Sequence, residues 1–166
     1  MTTELSAERQ AALRALIERI RSKQNFALGA VGGIVGASLG ALAWASVSAA
    51  TGYSIGYVAV GIGWLVGYGV RTLGGGMSKS YGYLGAALSL AGCIAGNFGA
   101  LVAGDAKASN IPLGTLLSGL DLGSVLHAMT ANFDVMDVLF YGISLYFGYK
   151  YSIRRLTKDE LAALPA

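Results

Sequence analysis

Apolar residues fall in long runs along the chain, separated by short polar breaks. Residues 26–50 contain no charged residue, residues 53–70 run apolar up to Arg71, and further runs cover 81–104 and 135–153. A bilayer core about 30 Å thick needs roughly 20 such residues in a helix. The pattern predicts four membrane-crossing helices, the first two joined by a tight turn at Thr51 and Gly52. Lys150 falls in the last turns of the fourth, where a long side chain reaches the interface. Two more helices are predicted outside the runs. Leu13, Leu16, Ile17 and Ile20 repeat at helical spacing behind Ser6, a suitable N-cap, with Glu8 in the first turn. Leu113, Leu116, Leu117 and Leu120, then Leu122, Val125, Leu126 and Met129, predict a helix over 112–129 with Pro112 near its start. The expected fold is all-α: a polytopic membrane four-helix bundle. An N-terminal amphipathic helix (1–25) precedes the membrane domain (26–153), whose outer-face helix joins spans three and four. A short tail (154–166) follows.

Charge orients this arrangement. Charged residues are only 13% of the chain and apolar residues 54%, with mean hydropathy +0.58; a soluble domain carries about 25% charge. Eleven of the twelve Lys and Arg residues fall on the side of the two termini. The other side has Lys107 alone against Asp105, Asp121, Asp134 and Asp137. The positive-inside rule then places both termini on the cytoplasmic side of the membrane. Tyr53, Tyr57, Tyr68, Tyr81, Tyr83, Tyr149 and Tyr151 lie near span ends, as interfacial aromatic belts do. A cleavable signal peptide is not expected, because the charged residues up to Lys23 leave no apolar stretch among them.

The 25 glycines follow no collagen period. Gly29 and Gly33, interleaved with Gly32, Gly36 and Gly40, form four-residue steps in the first span. Gly63 and Gly67 do so in the second, and Gly92 and Gly96 in the third. Such stripes let helix backbones approach closely where lipid removes the hydrophobic drive. They serve packing within one bundle or between copies of it.

The spans hold almost no ionisable group, which disfavours a proton-coupled pump. Asn97 is the main polar residue inside them: an interhelical hydrogen bond is the ordinary role and a pore position the sharper one. Ser89 and Ser144 can bond to their own helix. Cys93, the only cysteine, reads as a buried packing residue and excludes an intrachain disulfide. Asp134 and Asp137 suit the start of the fourth helix as cap and dipole partners. With Asp105 and Asp121 they are also candidates for an acidic outer mouth. His127, the single histidine, has no evident partner. Gly74, Gly75 and Gly76 lack the strand and Lys of a phosphate loop. Arg19, Arg21, Lys23, Arg71, Lys79, Arg154 and Arg155 form a basic membrane-facing set suited to anionic lipid. No metal site, cofactor, catalytic constellation or nucleic-acid surface is expected.

Three segments carry a family resemblance. Tyr53 to Arg71 is similar to "GYxIGxMAVGVGFLVGxxVR". Leu90 to Asn97 is similar to "LLGCLLGN", and Met136 to Lys150 to "MDLLFYGIAxYEGYK". Together they resemble a group of small bacterial four-span membrane proteins, over about residues 26–155. Phe147 departs from the pattern, standing where the group has Glu. The resemblance implies a multipass membrane protein and carries no activity with it. The expected function is non-enzymatic: an integral scaffold or assembly subunit that self-associates through Gly-rich faces. Its partners would be the lipid bilayer, a second copy or another membrane protein. The alternative is a small oligomeric channel or transporter.

Overall fold

The computed structural model describes residues 7–51, 56–119, 121–131 and 133–165. Among them the chain is all-helical. The elements in order are α1 (Ala7–Arg21), α2 (Phe26–Thr51), α3 (Tyr57–Gly74), α4 (Lys79–Ser109), α5 (Leu113–Gly119), α6 (Leu122–Ala131), α7 (Val135–Ser152) and α8 (Lys158–Ala162).

The amphipathic reading of α1 fits its burial: Leu13, Leu16 and Ile17 are half-buried and Ile20 is buried, while Glu18, Arg19 and Arg21 are exposed. The expected cap Ser6 lies outside the described residues. Asn25 then starts α2 by accepting the Leu28 N–H at 3.0 Å. Its own N–H donates to the Gly74 carbonyl at 3.0 Å, tying the start of α2 to the end of α3.

Helices α2, α3, α7 and α4 pack around a ring in that order, with α3 and α4 touching across the middle. Their centre is filled by Trp44, Ile62, Val66, Val70 and Cys93, all fully buried. Two of the four, α2 and α4, are long and apolar enough to cross a membrane. At 1.5 Å per residue they span about 39 and 46 Å. Helices α3 and α7 span about 27 Å each. At that length neither has an uncharged stretch of 18 residues, α3 carrying Arg71 and α7 carrying Asp137 and Lys150.

Several boundaries differ from expectation, each for a local reason. The third run does not stop at 104. Helix α4 continues to Ser109, so Asp105 and Lys107 are helical and not in the loop. It stops at Asn110, whose φ of 53° is left-handed and whose N–H returns to the Ala106 carbonyl; Pro112 then bars further helix. The single helix expected over 112–129 is two helices, α5 and α6. Asp121 breaks the run by capping a new N-terminus: its Oδ1 accepts the N–H groups of Gly123 at 2.8 Å and Ser124 at 3.0 Å. The three-glycine run is a helix stop. Gly75 takes φ 62° and donates to the Arg71 carbonyl, the left-handed cap that glycine supplies most cheaply. In the tail α8 was not foreseen, although Thr157 and Glu160 are a capping-box pair at the usual spacing.

Candidate functional site

The nine stripe glycines decide how close the helices sit. On α2, Gly32 faces the backbone of Gly69 so closely that a methyl group would land on its carbonyl. A methyl at Gly36 would lie 2.7 Å from the Leu65 carbonyl oxygen, and one at Gly40 2.6 Å from Ile62. Gly29 abuts Gly74 and Tyr81, and Gly33 meets Val70 and Leu88. Gly63 and Gly67 of α3 face Ser144 and Tyr151 of α7. Gly92 and Gly96 of α4 face Ala37 and Trp44 of α2. All nine are buried against another helix of the same chain. Counting glycines alone missed a matching stripe on α7. Tyr141, Ser144, Gly148 and Ser152 are its buried residues, and the small members Ser144, Gly148 and Ser152 stand at the same four-residue spacing.

Between α4 and α7 these stripes enclose a polar seam. Asn97 donates through Nδ2 to the Tyr141 hydroxyl at 3.0 Å, and that hydroxyl donates to the Cys93 carbonyl at 3.4 Å. Cys93 Sγ donates to Ser144 Oγ at 3.3 Å. Ser89 and Ser152 donate back to the carbonyls four residues earlier, Gly85 and Gly148, at 2.7 and 2.6 Å. Asn97 therefore has the interhelical bond, and Tyr141 is the partner that sequence reasoning missed. Tyr141→Phe leaves a buried amide donor without its partner, a loss of about 1–2 kcal/mol. Asn97→Leu combined with Tyr141→Phe removes both ends. The pair is expected to unfold closer to the parent temperature than the sum of the singles predicts; additive losses in a double-mutant cycle would break the assignment.

The acidic candidates do not converge. Asp134 caps α7 as expected, and Asp137 closes the box by accepting the Asp134 N–H at 3.0 Å. Asp121 caps α6. The Ser124 hydroxyl and N–H hold its carboxyl below the usual range. Asp105 is exposed on the last turns of α4. Among the described residues no three His, Cys, Asp or Glu side chains come together to hold a metal. His127 lies exposed on α6.

The basic residues gather better. Arg154 N–H donates to the Gly76 carbonyl at 2.8 Å, pulling the end of α7 against the α3–α4 turn. A hollow of about 610 Å³ opens there, lined by Arg71 and Thr72 of α3, Lys150 and Tyr151 of α7, and Arg154 and Arg155 beyond it. Arg154 is partly neutralised by Glu160 at 2.8 Å. The Thr157 N–H, and after it Arg154, keeps that glutamate below its ordinary range. The favourable contribution is present above the usual glutamate pKa and fades as pH falls through the lowered one. Arg71 lies 5.7 Å over the Tyr68 ring, and Lys150 lies 5.3 and 5.9 Å over Tyr146 and Tyr151. Lys79, at the start of α4, and Arg19, Arg21 and Lys23, around the end of α1, stay outside the hollow. Phe147, one turn before Tyr151, stacks on it at 5.5 Å.

Scanned against protein-family models the chain matches none, and no curated protein and no solved structure matches it either.

Proposed function

We propose that the chain is a non-enzymatic integral membrane protein, a scaffold or assembly subunit. In this reading α2, α3, α4 and α7 all cross a bacterial inner membrane as a four-helix bundle, with both termini on the cytoplasmic side. One observation carries the membrane reading: the packing is inside out. Around a few large central side chains the close contacts between helices use Gly, Ala and Ser, while Leu28, Val31, Ile34, Val35, Leu39 and Leu42 of α2 point outward, 49–65% exposed. Val138 and Leu139 of α7 do the same. Only 28% of the most apolar window of α2 and 33% of that of α4 are buried. A core helix of a soluble protein buries its large side chains; a lipid-facing helix exposes them and packs on small ones.

The stripes expected to join copies are occupied within the chain. Self-association therefore falls to the outer surface. There Ala45, Ser46 and Ala49 of α2 and Gly99 and Ala103 of α4, with Phe98 and Val102 beside them, leave a shallow groove of about 290 Å³ for a second copy to occupy. The channel alternative would need its path between copies, since Trp44, Ile62 and Val66 fill the centre of each.

The test is mass and membrane retention together. The chain should stay in phosphatidylcholine vesicles through an alkaline wash, and in lipid nanodiscs its mass should be a multiple of 17.0 kDa. Release by the wash would sink the membrane reading. A single sharp monomer mass would sink self-association.

A further inference from the structure

We infer that the hollow between the ends of α3 and α7 is a binding site for the phosphate group of an anionic phospholipid. The inference rests on the membrane reading above and gives it a specific lipid contact. Four cations line the hollow: Arg71, Lys150, Arg154 and Arg155. Glu160 offsets Arg154, and the C-termini of α3 and α7 contribute roughly half a negative charge each, which leaves about +2. That excess has no carboxylate partner: Arg71, Lys150 and Arg155 make no ion pair among the described residues. Arg71 and Lys150 are held instead by aromatic faces, Tyr68 for the first and Tyr146 and Tyr151 for the second. Stacking fixes a guanidinium or ammonium in place and leaves its N–H donors unspent. Concave, preset donors of one sign are what a phosphate group requires.

The surroundings favour a lipid over a soluble phosphate compound. Tyr68 and Tyr146, which lie under Arg71 and Lys150, are 47% and 57% exposed, and the exposed Trp64 stacks on Tyr68 from one turn earlier along α3. An acyl chain can run along that apolar face while the headgroup sits among the cations. Basic pockets between spans on the cytoplasmic side bind anionic headgroups by this geometry.

The full chain in neutral detergent is titrated with phosphatidylglycerol and, separately, phosphatidylcholine, and bound lipid is read by native mass. Phosphatidylglycerol should be retained preferentially, falling about fivefold for each of Arg71→Gln and Arg155→Gln. Arg155 is exposed, so its variant tests the site without disturbing the fold. Lys79→Gln removes the same charge from the same end but outside the hollow, and should change retention little. Equal losses in all three variants, or no preference for phosphatidylglycerol, would overturn the site and leave a diffuse surface field. Displacement by inorganic phosphate at the concentrations where phosphatidylglycerol binds would overturn the lipid source. Release from phosphatidylcholine vesicles on alkaline washing is a separate failure, that of the membrane reading itself.

Discussion

Gly32→Ala and Gly36→Ala should each unfold at a clearly lower temperature than the parent, whereas Gly61→Ala and Gly142→Ala should unfold at the same or a higher one. The four substitutions are chemically identical and all lie within helices. They differ in what the added methyl meets. At Gly32 it lands on the Gly69 carbonyl, and at Gly36 it lies 2.7 Å from the Leu65 oxygen and 2.9 Å from the Val66 nitrogen. Those neighbours are backbone, which cannot turn aside as a side-chain tip can. Helix α3 must move off α2 as a body, and every contact along the crossing loosens. Overpacking costs about 1–3 kcal/mol and sometimes more, and a backbone obstacle puts these sites at the upper end. At Gly61 and Gly142 nothing lies within 4 Å. Alanine there gains the helix preference over glycine, about 0.4–1 kcal/mol. Thermal unfolding of all four in one detergent, followed by circular dichroism, checks this. Shifts of the same sign at all four sites would refute the close α2–α3 crossing.

The glycine stripes were legible because their spacing is local: four residues return to the same side of a helix wherever that helix packs. The face they seek was not legible. It is fixed by contacts between residues far apart in the chain, such as Gly32 with Gly69 and Gly63 with Ser144. The stripe on α7 was overlooked for a different reason. It is built from Ser144, Gly148 and Ser152, so a count of glycines passed over it, although the small-residue spacing was present. The apolar runs set the number of long helices but not every boundary. Helix α4 overran its apolar run because Ala103 to Ser109 stays helical until Asn110 turns left-handed. The 112–129 run broke because one carboxylate, Asp121, supplied a cap inside an otherwise continuous leucine pattern. The basic hollow lies furthest from sequence reasoning. Arg71 and Arg155 meet through the Arg154–Gly76 backbone bond, and nothing in either segment alone predicts it. Each was readable as a membrane-surface cation; their convergence was not.

Trp44→Ala should produce the largest loss of any single large-to-small substitution in this chain. Trp44 is the largest fully buried side chain. Gly96 of α4 lies against it, a methyl there coming within 3.1 Å of the ring, and Tyr141 of α7 meets it edge-on at 6.4 Å. The indole therefore fills the space where α2, α4 and α7 converge. In a water-soluble core its removal would cost about 3–5 kcal/mol. On the membrane reading the separated helices are also solvated by apolar lipid chains, so the transfer part drops out. The cavity and lost dispersion contacts remain, on the order of 2–4 kcal/mol. Trp44→Phe separates size from polarity. It leaves a smaller void and also removes the indole Nε1, which is buried without a hydrogen-bond partner. Relief of that group offsets part of the packing loss, so the net cost should stay under about 1.5 kcal/mol. Combining Trp44→Ala with Gly96→Ala should recover stability, because the new methyl enters vacated space. Strict additivity would mean the two residues do not share that space. The same variant separates the proposed scaffold from the channel alternative. Below its unfolding temperature, Trp44→Ala in proteoliposomes should leak ions no faster than the parent, since Ile62, Val66 and Val70 still fill the centre along the rest of the bundle. Faster leak would place a conducting path through the centre of the four helices, with the Trp44 indole as its plug, and would reverse the order of the two readings.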